Sequence, residues 1–417
     1  MKIIYMATYA FYLFSMVDAR FEVHFLRNHS TIWTLYAIAT IVGVLCFCIK
    51  KIGSHGLKIR KHSIDKYQCL ILIVLGIEIF NQYTELEEWL YLSCFLISLF
   101  ATADIFSRYN ALLELMLINF LVPNIGIALN CIANDINVIE NVRNINILTF
   151  FSSSYSSRTR FWLGFNNPNM IGNLSSTLIL LSMPLLIYLK EHKSYRYISV
   201  VTVLFVIFDF LIMMESGTRT ALLSVVVGGM AYVLFANTSI RNQKKRERIA
   251  ALVLSGMILG CCVIIVSDKF ISTYLNSGRI ESYQLISILK GISSIIGIGV
   301  ISPGGDGLIT VKGQTLLLHL DNYYIYIFIT LGLIGCVTFI AFFISIFKSI
   351  YNKGRYDKFT QAVLSCFAFD MVYGFSETCI LYPQFPSSVM LFTFFLCVAK
   401  KSVLQEIYEE HNSACIN

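Results

Sequence analysis

Apolar runs of roughly bilayer-crossing length recur along the whole chain, separated by polar stretches. They lie near 3–17, 31–49, 67–83, 88–106, 111–131, 169–189, 197–214, 220–236, 249–267, 322–346, 359–374 and 379–399. An α-helix needs about 20 apolar residues to cross the hydrocarbon core. The pattern predicts an all-α polytopic membrane protein with about 12 transmembrane helices, of which the first and eleventh are short. Two long loops, near 132–168 and 268–321, interrupt the series. No internal repeat or linker divides the chain, so 1–417 reads as a single membrane domain.

One stretch has a different period. Ile280, Tyr283, Leu285, Ile288, Leu289, Ile292, Ile295 and Ile296 fall mostly on one helical stripe, with Glu281, Gln284, Ser287 and Ser294 on the other side. That predicts an amphipathic helix lying in the membrane interface. The long loop then gives way to an apolar helix within Leu316–Gly335, which places His319, Asp321 and Asn322 at the junction.

Composition agrees with the pattern. The chain is 56% hydrophobic and only 14% charged, against about 25% charged in soluble domains. The net charge of +7 is therefore first a topology signal, and nucleic acid is not an expected partner. Loops 50–66, 190–196, 237–248 and 347–358 and the tail from Lys400 are basic, and with twelve spans all share one side. The positive-inside bias makes that side cytoplasmic, together with both termini. Most of the 32 Lys and Arg residues lie there, and Arg outnumbers Lys among the rest. Arg suits bidentate binding of phosphate or carboxylate, so the outward face is expected to meet an anion. Most of the 12 cysteines sit inside apolar runs, and no CxxC, HExxH or His-rich cluster points to a metal. Met1–Val17 lacks a small-x-small cleavage site and reads as an uncleaved first span.

Four outward segments carry polar chemistry. In Arg160–Asn169, Asn167 and Pro168 read as the N-cap and first residue of the sixth span, which leaves Arg160 and the Gly164–Phe165 pair without a capping role. In Glu215–Ala221, Ser216 or Thr218 is the expected cap of the eighth span. Arg219 follows in its first turn, where the helix dipole favours an anion. A cation beside free backbone N–H groups makes a corner suited to phosphate, unless Arg219 simply pairs with Glu215. Ser277–Glu281 contributes Arg279 and Glu281 and leads to Gly297-Ile-Gly299. In the fourth, Asp321 or Asn322 caps the tenth span. The sixth, eighth and tenth spans thus start at one face, and Arg160, Arg219 and Arg279 are expected to converge there.

These segments resemble the Wzy and O-antigen ligase superfamily of bacterial polysaccharide enzymes. Arg160–Gly172, RFWLGFNNPNMIG, looks like the R-x-x-x-G-F-x-x-x-N-x-x-G block of repeat-unit polymerases. SGTRTALLS resembles the S-G-[ST]-R-x-[AG]-L-L segment, and SGRIESYQ followed by GIG resembles the extracytoplasmic Arg loop and G-[VI]-G element. Ligases open the next span with H-N-x9-G-x-x-G; here Asp321-Asn322, nine residues, then Gly332 and Gly335 keep that spacing with Asp in place of His. His319 is two residues out of register, which favours polymerase over ligase. The match covers roughly 158–335, and the first 150 residues match only as generic membrane helices.

The resemblance implies a GT-C-like, metal-independent glycosyltransferase without a cofactor in the bacterial cytoplasmic membrane. Its donor would be a glycan on undecaprenyl pyrophosphate and its acceptor a second lipid-linked repeat unit, with a flippase and a chain-length regulator as partners. Arg219 and Arg279, then Arg160, would stabilise the leaving pyrophosphate. Asp321 would be the base, with His319 as rival, and Asn169, Asn322 and Glu281 would bind substrate. An O-antigen ligase or a lipid-linked oligosaccharide flippase or transporter is the alternative. Of the acids in or near spans, Glu78, Asp104, Glu114, Asp209 and Asp370, it is Glu78, Asp209 and Asp370 that keep transport open, Asp104 lying close enough to a span end for solvation. An oligosaccharyltransferase-like enzyme would instead use Asp18 or Glu22.

Overall fold

The computed structural model describes residues 2–54, 63–81, 84–143, 161–191, 195–236, 291–301, 308–311, 314–317, 322–354, 357–375, 377–383 and 385–400. Helices α1 (Lys2–Asp18), α2 (His29–Ser54), α3 (Ser63–Glu78), α4 (Leu86–Arg108) and α5 (Leu112–Ala133) come first. A short α6 (Val138–Arg143) precedes α7 (Pro168–Glu191), α8 (Arg196–Ser216) and α9 (Arg219–Ala236). A single-turn α10 (Ile292–Ile296) and an antiparallel hairpin, β1 (Leu308–Val311) with β2 (Gln314–Leu317), follow. Then come α11 (Tyr323–Gly354), α12 (Lys358–Tyr373) and α13 (Pro386–Lys400).

Five helices are long and apolar enough to cross a membrane: α4, α5, α7, α8 and α11 over Tyr323–Asn352. α9 and α13 are apolar but shorter. A helix stands at eleven of the twelve positions expected from the sequence; the ninth, near 249–267, lies outside the described residues. So does the expected amphipathic helix up to residue 290; the described α10 starts afresh after Gly291, whose φ of 62 is not helical.

Burial sorts the helices into a centre and a rim. Every residue of α13 is buried, and it packs against α4, α5, α7 and α11. By contrast, α8 exposes Val200, Leu204 and Ile207 along one face, and α11 exposes Leu333, Val337, Ile340 and Ile344. Such continuous apolar stripes would be an association hazard in water; against lipid tails they are the expected outer surface. This is a membrane-embedded helical bundle.

Ion pairs gather at one end of it. Lys2 meets Glu114 at 2.7 Å, Arg108 meets Asp104 at 2.5 Å, and Lys400 reaches Asp65 at 3.1 Å and Asp104 at 3.7 Å. The starts of α1, α3 and α5 therefore lie with the ends of α4 and α13, as an up-and-down bundle requires. Asp104 and Glu114 are structural partners at this end. Asp209 and Asp370 instead lie buried inside the bundle.

Two departures from the apolar pattern shape the opposite end. The helix expected from 379 starts only at Pro386, because Pro383 and Pro386 supply no N–H donor. Residues 377–382 remain irregular yet buried, a state tolerated at membrane depth only inside protein. The second is a break in α11 at Gly332 (φ 63, ψ −161).

Candidate functional site

The break in α11 is where two of the polar segments meet. Ile298 and Gly299 donate their N–H groups to the carbonyls of Ile329 and Thr330, at 2.9 and 3.0 Å. The Gly-Ile-Gly stretch thus takes over acceptors that the break sets free. Gly297 (φ 81) and Gly332 (φ 63) oppose each other so closely that a Cβ on either would enter the other's backbone. At Gly335 a Cβ would collide with the Leu331 side chain one turn back. Asn322 fixes the start of the helix, its Oδ1 accepting from Tyr324 N at 3.0 Å and Ile325 N at 3.1 Å. The spacing from Asn322 to Gly332 is thus a cap, a short helix and a docking notch. Val300 then ties this unit to the α3–α4 turn, accepting from Glu85 N at 2.9 Å.

The Arg160–Gly172 block is stapled on several sides. Leu163 (φ 53) and Gly164 (φ 70) form a left-handed corner, with the Leu163 carbonyl held by Asn130 Nδ2 at 2.6 Å. A Cβ at Gly164 would sit 2.8 Å from Asn130 Nδ2. This corner grips the α1–α2 loop: Glu22 N donates to Gly164 O at 2.7 Å and Asn166 N to Arg20 O at 2.9 Å. The rings of Phe21 and Phe165 meet edge to face at 5.0 Å. Asn167 caps α7 through Asn169 N at 2.8 Å. A Cβ at Gly172 would lie 2.6 Å from Thr218 Oγ1, and Thr218 donates to Pro168 O at 3.1 Å. Thr218, one of the two caps expected for α9 beside Ser216, therefore uses its hydroxyl to join α9 to α7.

The α12–α13 turn links these two assemblies. Tyr323 N donates to Gly374 O at 2.9 Å, and Asn322 Nδ2 donates to Phe375 O at 2.8 Å. On the other flank Asn169 Nδ2 donates to the buried Glu377 Oε1 at 2.8 Å. The starts of α7, α9 and α11 are therefore gathered at one end, as the sequence led one to expect. Phe375 and Glu377 of this turn lie between the expected spans 359–374 and 379–399, whereas its buried second half, 379–383, falls where a helix is expected.

Of the expected site residues, Asn169 and Asn322 are brought together through this turn. Arg219 is half-buried as the first residue of α9, one position from the Thr218–Pro168 bond. Glu215 is not its partner: Glu215 Oε2 accepts from Asn141 at 3.3 Å, and Oε1 is buried without a hydrogen bond among the described residues. Arg160, Arg279, Glu281, His319 and Asp321 lie outside the described residues. Phe161, beside Arg160 in the chain, donates to Glu215 O at 3.1 Å.

Sequence reasoning missed a cation. Arg20, just beyond α1, has a buried Nε with no hydrogen-bond partner among the described residues, and no carboxylate there pairs with it. Burial lowers its guanidinium below the usual arginine range, opposed by the nearby hydroxyls of Tyr91 and Tyr382. Taking an ion out of water costs several kcal/mol unless a countercharge repays it. Around it the walls are aromatic. Tyr382 donates to Glu88 Oε2 at 3.2 Å and meets Tyr326 edge-on at 5.5 Å, and Tyr91 stacks on Trp33 at 5.4 Å. The Tyr326 hydroxyl is buried and unpaired among the described residues. Leu381, next to Tyr382, sits at φ 44, a backbone state that a bulky residue holds only under strain. The one legible signal for Arg20 was its place among the outward arginines.

No family model matches the chain, and no curated protein is significantly similar to it. Beside the corner, an apolar groove of about 720 Å³ runs between α5, α6 and α8, lined by Ala128, Ile132, Val138, Leu204, Phe208 and Leu211.

Proposed function

We propose that the protein is a polysaccharide repeat-unit polymerase of the cytoplasmic membrane, a twelve-span, GT-C-like glycosyltransferase with its site facing outward and both termini in the cytoplasm. The observation that carries this reading is Arg20: a half-buried cation whose buried Nε has no partner among the described residues, beside Tyr91 and Tyr382 and tied through its carbonyl to the Arg160–Gly172 block. Such a place suits an anion attached to a sugar. A lipid-linked pyrophosphate is one, and the groove along α5 and α8 offers its prenyl tail an apolar bed.

The reaction follows from that substrate. An acceptor hydroxyl on one lipid-linked repeat unit attacks the anomeric carbon of the donor glycan. The new C–O bond forms as the bond to pyrophosphate breaks, and the hydroxyl proton passes to Asp321, with His319 as the rival base. Charge grows on the departing oxygens, and preorganised cations there lower the barrier. Arg219 and Arg279, with Arg160, serve that role, and Arg20 joins them. Asn169, held by Glu377, and Asn322 position substrate, with Glu281.

The test is the surface glycan of cells lacking the chain. A polymerase predicts loss of the ladder with single repeat units still reaching the surface acceptor. Lipid-linked polymer without surface transfer would mean ligase instead. Single units trapped on the cytoplasmic leaflet would mean flippase. A transport reading draws on Asp209 and Asp370, buried acids with carboxylate oxygens unpaired among the described residues.

A further inference from the structure

We propose that Asp18, His24 and His29 form a binding site for one divalent transition cation, zinc by the chemistry of its ligands. The sequence carries no metal-binding spacing, because the three meet only when the α1–α2 loop folds back on the end of α1. One ligand atom from each residue lies within 4.8 Å of the others. An imidazole pair with one carboxylate suits zinc, leaving a fourth tetrahedral position for water or another ligand.

The details resemble a metal site more than a simple loop tie. Asp18 is fully buried, and the loop wraps its carboxylate: Phe25 N donates to Oδ1 and Leu26 N to Oδ2, each at 2.8 Å. Ligating carboxylates are commonly held by such outer hydrogen bonds. His29 Nε2 lies 2.9 Å from Oδ2. His24 Nδ1 lies 2.9 Å from the Asp18 carbonyl. A carbonyl only accepts, so Nδ1 carries the proton and a neutral His24 keeps its lone pair on Nε2. Metal-ligating histidines are usually oriented in this way, by a hydrogen bond from the other ring nitrogen. His24 and His29 stand edge to face at 5.1 Å. Because His24 is exposed, an ion can enter without opening the bundle. The bound ion would neutralise the buried carboxylate and clamp the loop that carries Arg20 and Phe21. The proposal does not depend on the reaction assigned above.

The experiment uses the full chain in lipid nanodiscs, stripped with EDTA and titrated with zinc chloride by calorimetry, beside His24→Ala. That substitution removes the His24–Asp18 carbonyl hydrogen bond with the ligand but leaves the Asp18–His29 contact, so an unchanged helical circular-dichroism spectrum without zinc serves as the fold control. The expected result is one equivalent of zinc on the wild type and binding at least about 10-fold weaker in His24→Ala, the low end of what losing even an outer partner costs. Cobalt(II) should give visible ligand-field bands with the wild type that vanish in His24→Ala. Absence of stoichiometric zinc uptake would overturn the proposal. So would equal affinity, or persisting cobalt bands, in His24→Ala, since the ion would then sit elsewhere.

Discussion

Gly297 and Gly332, thirty-five positions apart, meet backbone to backbone, and neither leaves room for a side chain on the other. The contact sets the depth at which the Gly-Ile-Gly stretch enters the break in α11. Alanine at either position must bear a left-handed backbone and a steric clash together. Those effects cost about 1–3 kcal/mol each. Gly332→Ala and Gly297→Ala should therefore each lower the unfolding free energy by about 2–6 kcal/mol on the same grounds. Thermal melts in nanodiscs measure this, and a change within about 0.5 kcal/mol, the range of ordinary surface substitutions, would contradict the close contact.

Arg20 gives a prediction with two opposite signs. Its cation is half-buried, with Nε buried and no counterion among the described residues, so removing it should relieve part of a desolvation cost in the ligand-free protein. Arg20→Met keeps much of the side-chain bulk. It should melt at the same or a higher temperature while polymer output falls about 100-fold or more, as loss of one preorganised electrostatic group does. A large drop in melting temperature would make Arg20 a structural residue.

The bond from Asn169 to Glu377 joins the start of α7 to the α12–α13 turn. Hydrogen bonds to charged groups contribute about 1.5–3 kcal/mol. A double-mutant cycle of Asn169→Ala and Glu377→Ala should return a coupling of that order. Additive effects would mean that the two act through different neighbours.

Asp18 and Glu22 separate this account from an oligosaccharyltransferase-like one. Asp18 is fully buried and fully engaged, whereas Glu22 is exposed and uses its backbone to reach Gly164. Glu22→Ala should leave glycan output and stability unchanged. Asp18→Ala should destabilise, because two backbone N–H groups lose their acceptor at about 1–3 kcal/mol each. Abolished glycan transfer in a stably folded Glu22→Ala would refute this assignment.

Local chemistry was legible in the sequence. Asn167 and Asn322 cap the helices they precede, and the Gly164–Phe165 pair stood out as more than a cap. What it did was not legible, because its partners Asn130, on α5, and Phe21, in the α1–α2 loop, are distant in the chain. Hydropathy also misread residues 379–385: it registers burial, and that irregular turn is as buried as the helix after it. Tyr382 was hidden for this reason; Glu377 lies between the expected spans, and its bond to Asn169 shows only in the fold. Arg20 stood in plain view, but its lack of a countercharge appears only once α1, α4 and the α12–α13 turn are assembled.

The most direct measurement uses lipid-linked repeat units extracted from cells lacking the chain. They are incubated with the purified protein in vesicles, and the products are separated by size. The account predicts lipid-linked species of two and more units, released undecaprenyl pyrophosphate, and neither with Arg20→Met. Repeat units that stay single in the presence of folded wild-type protein would contradict it.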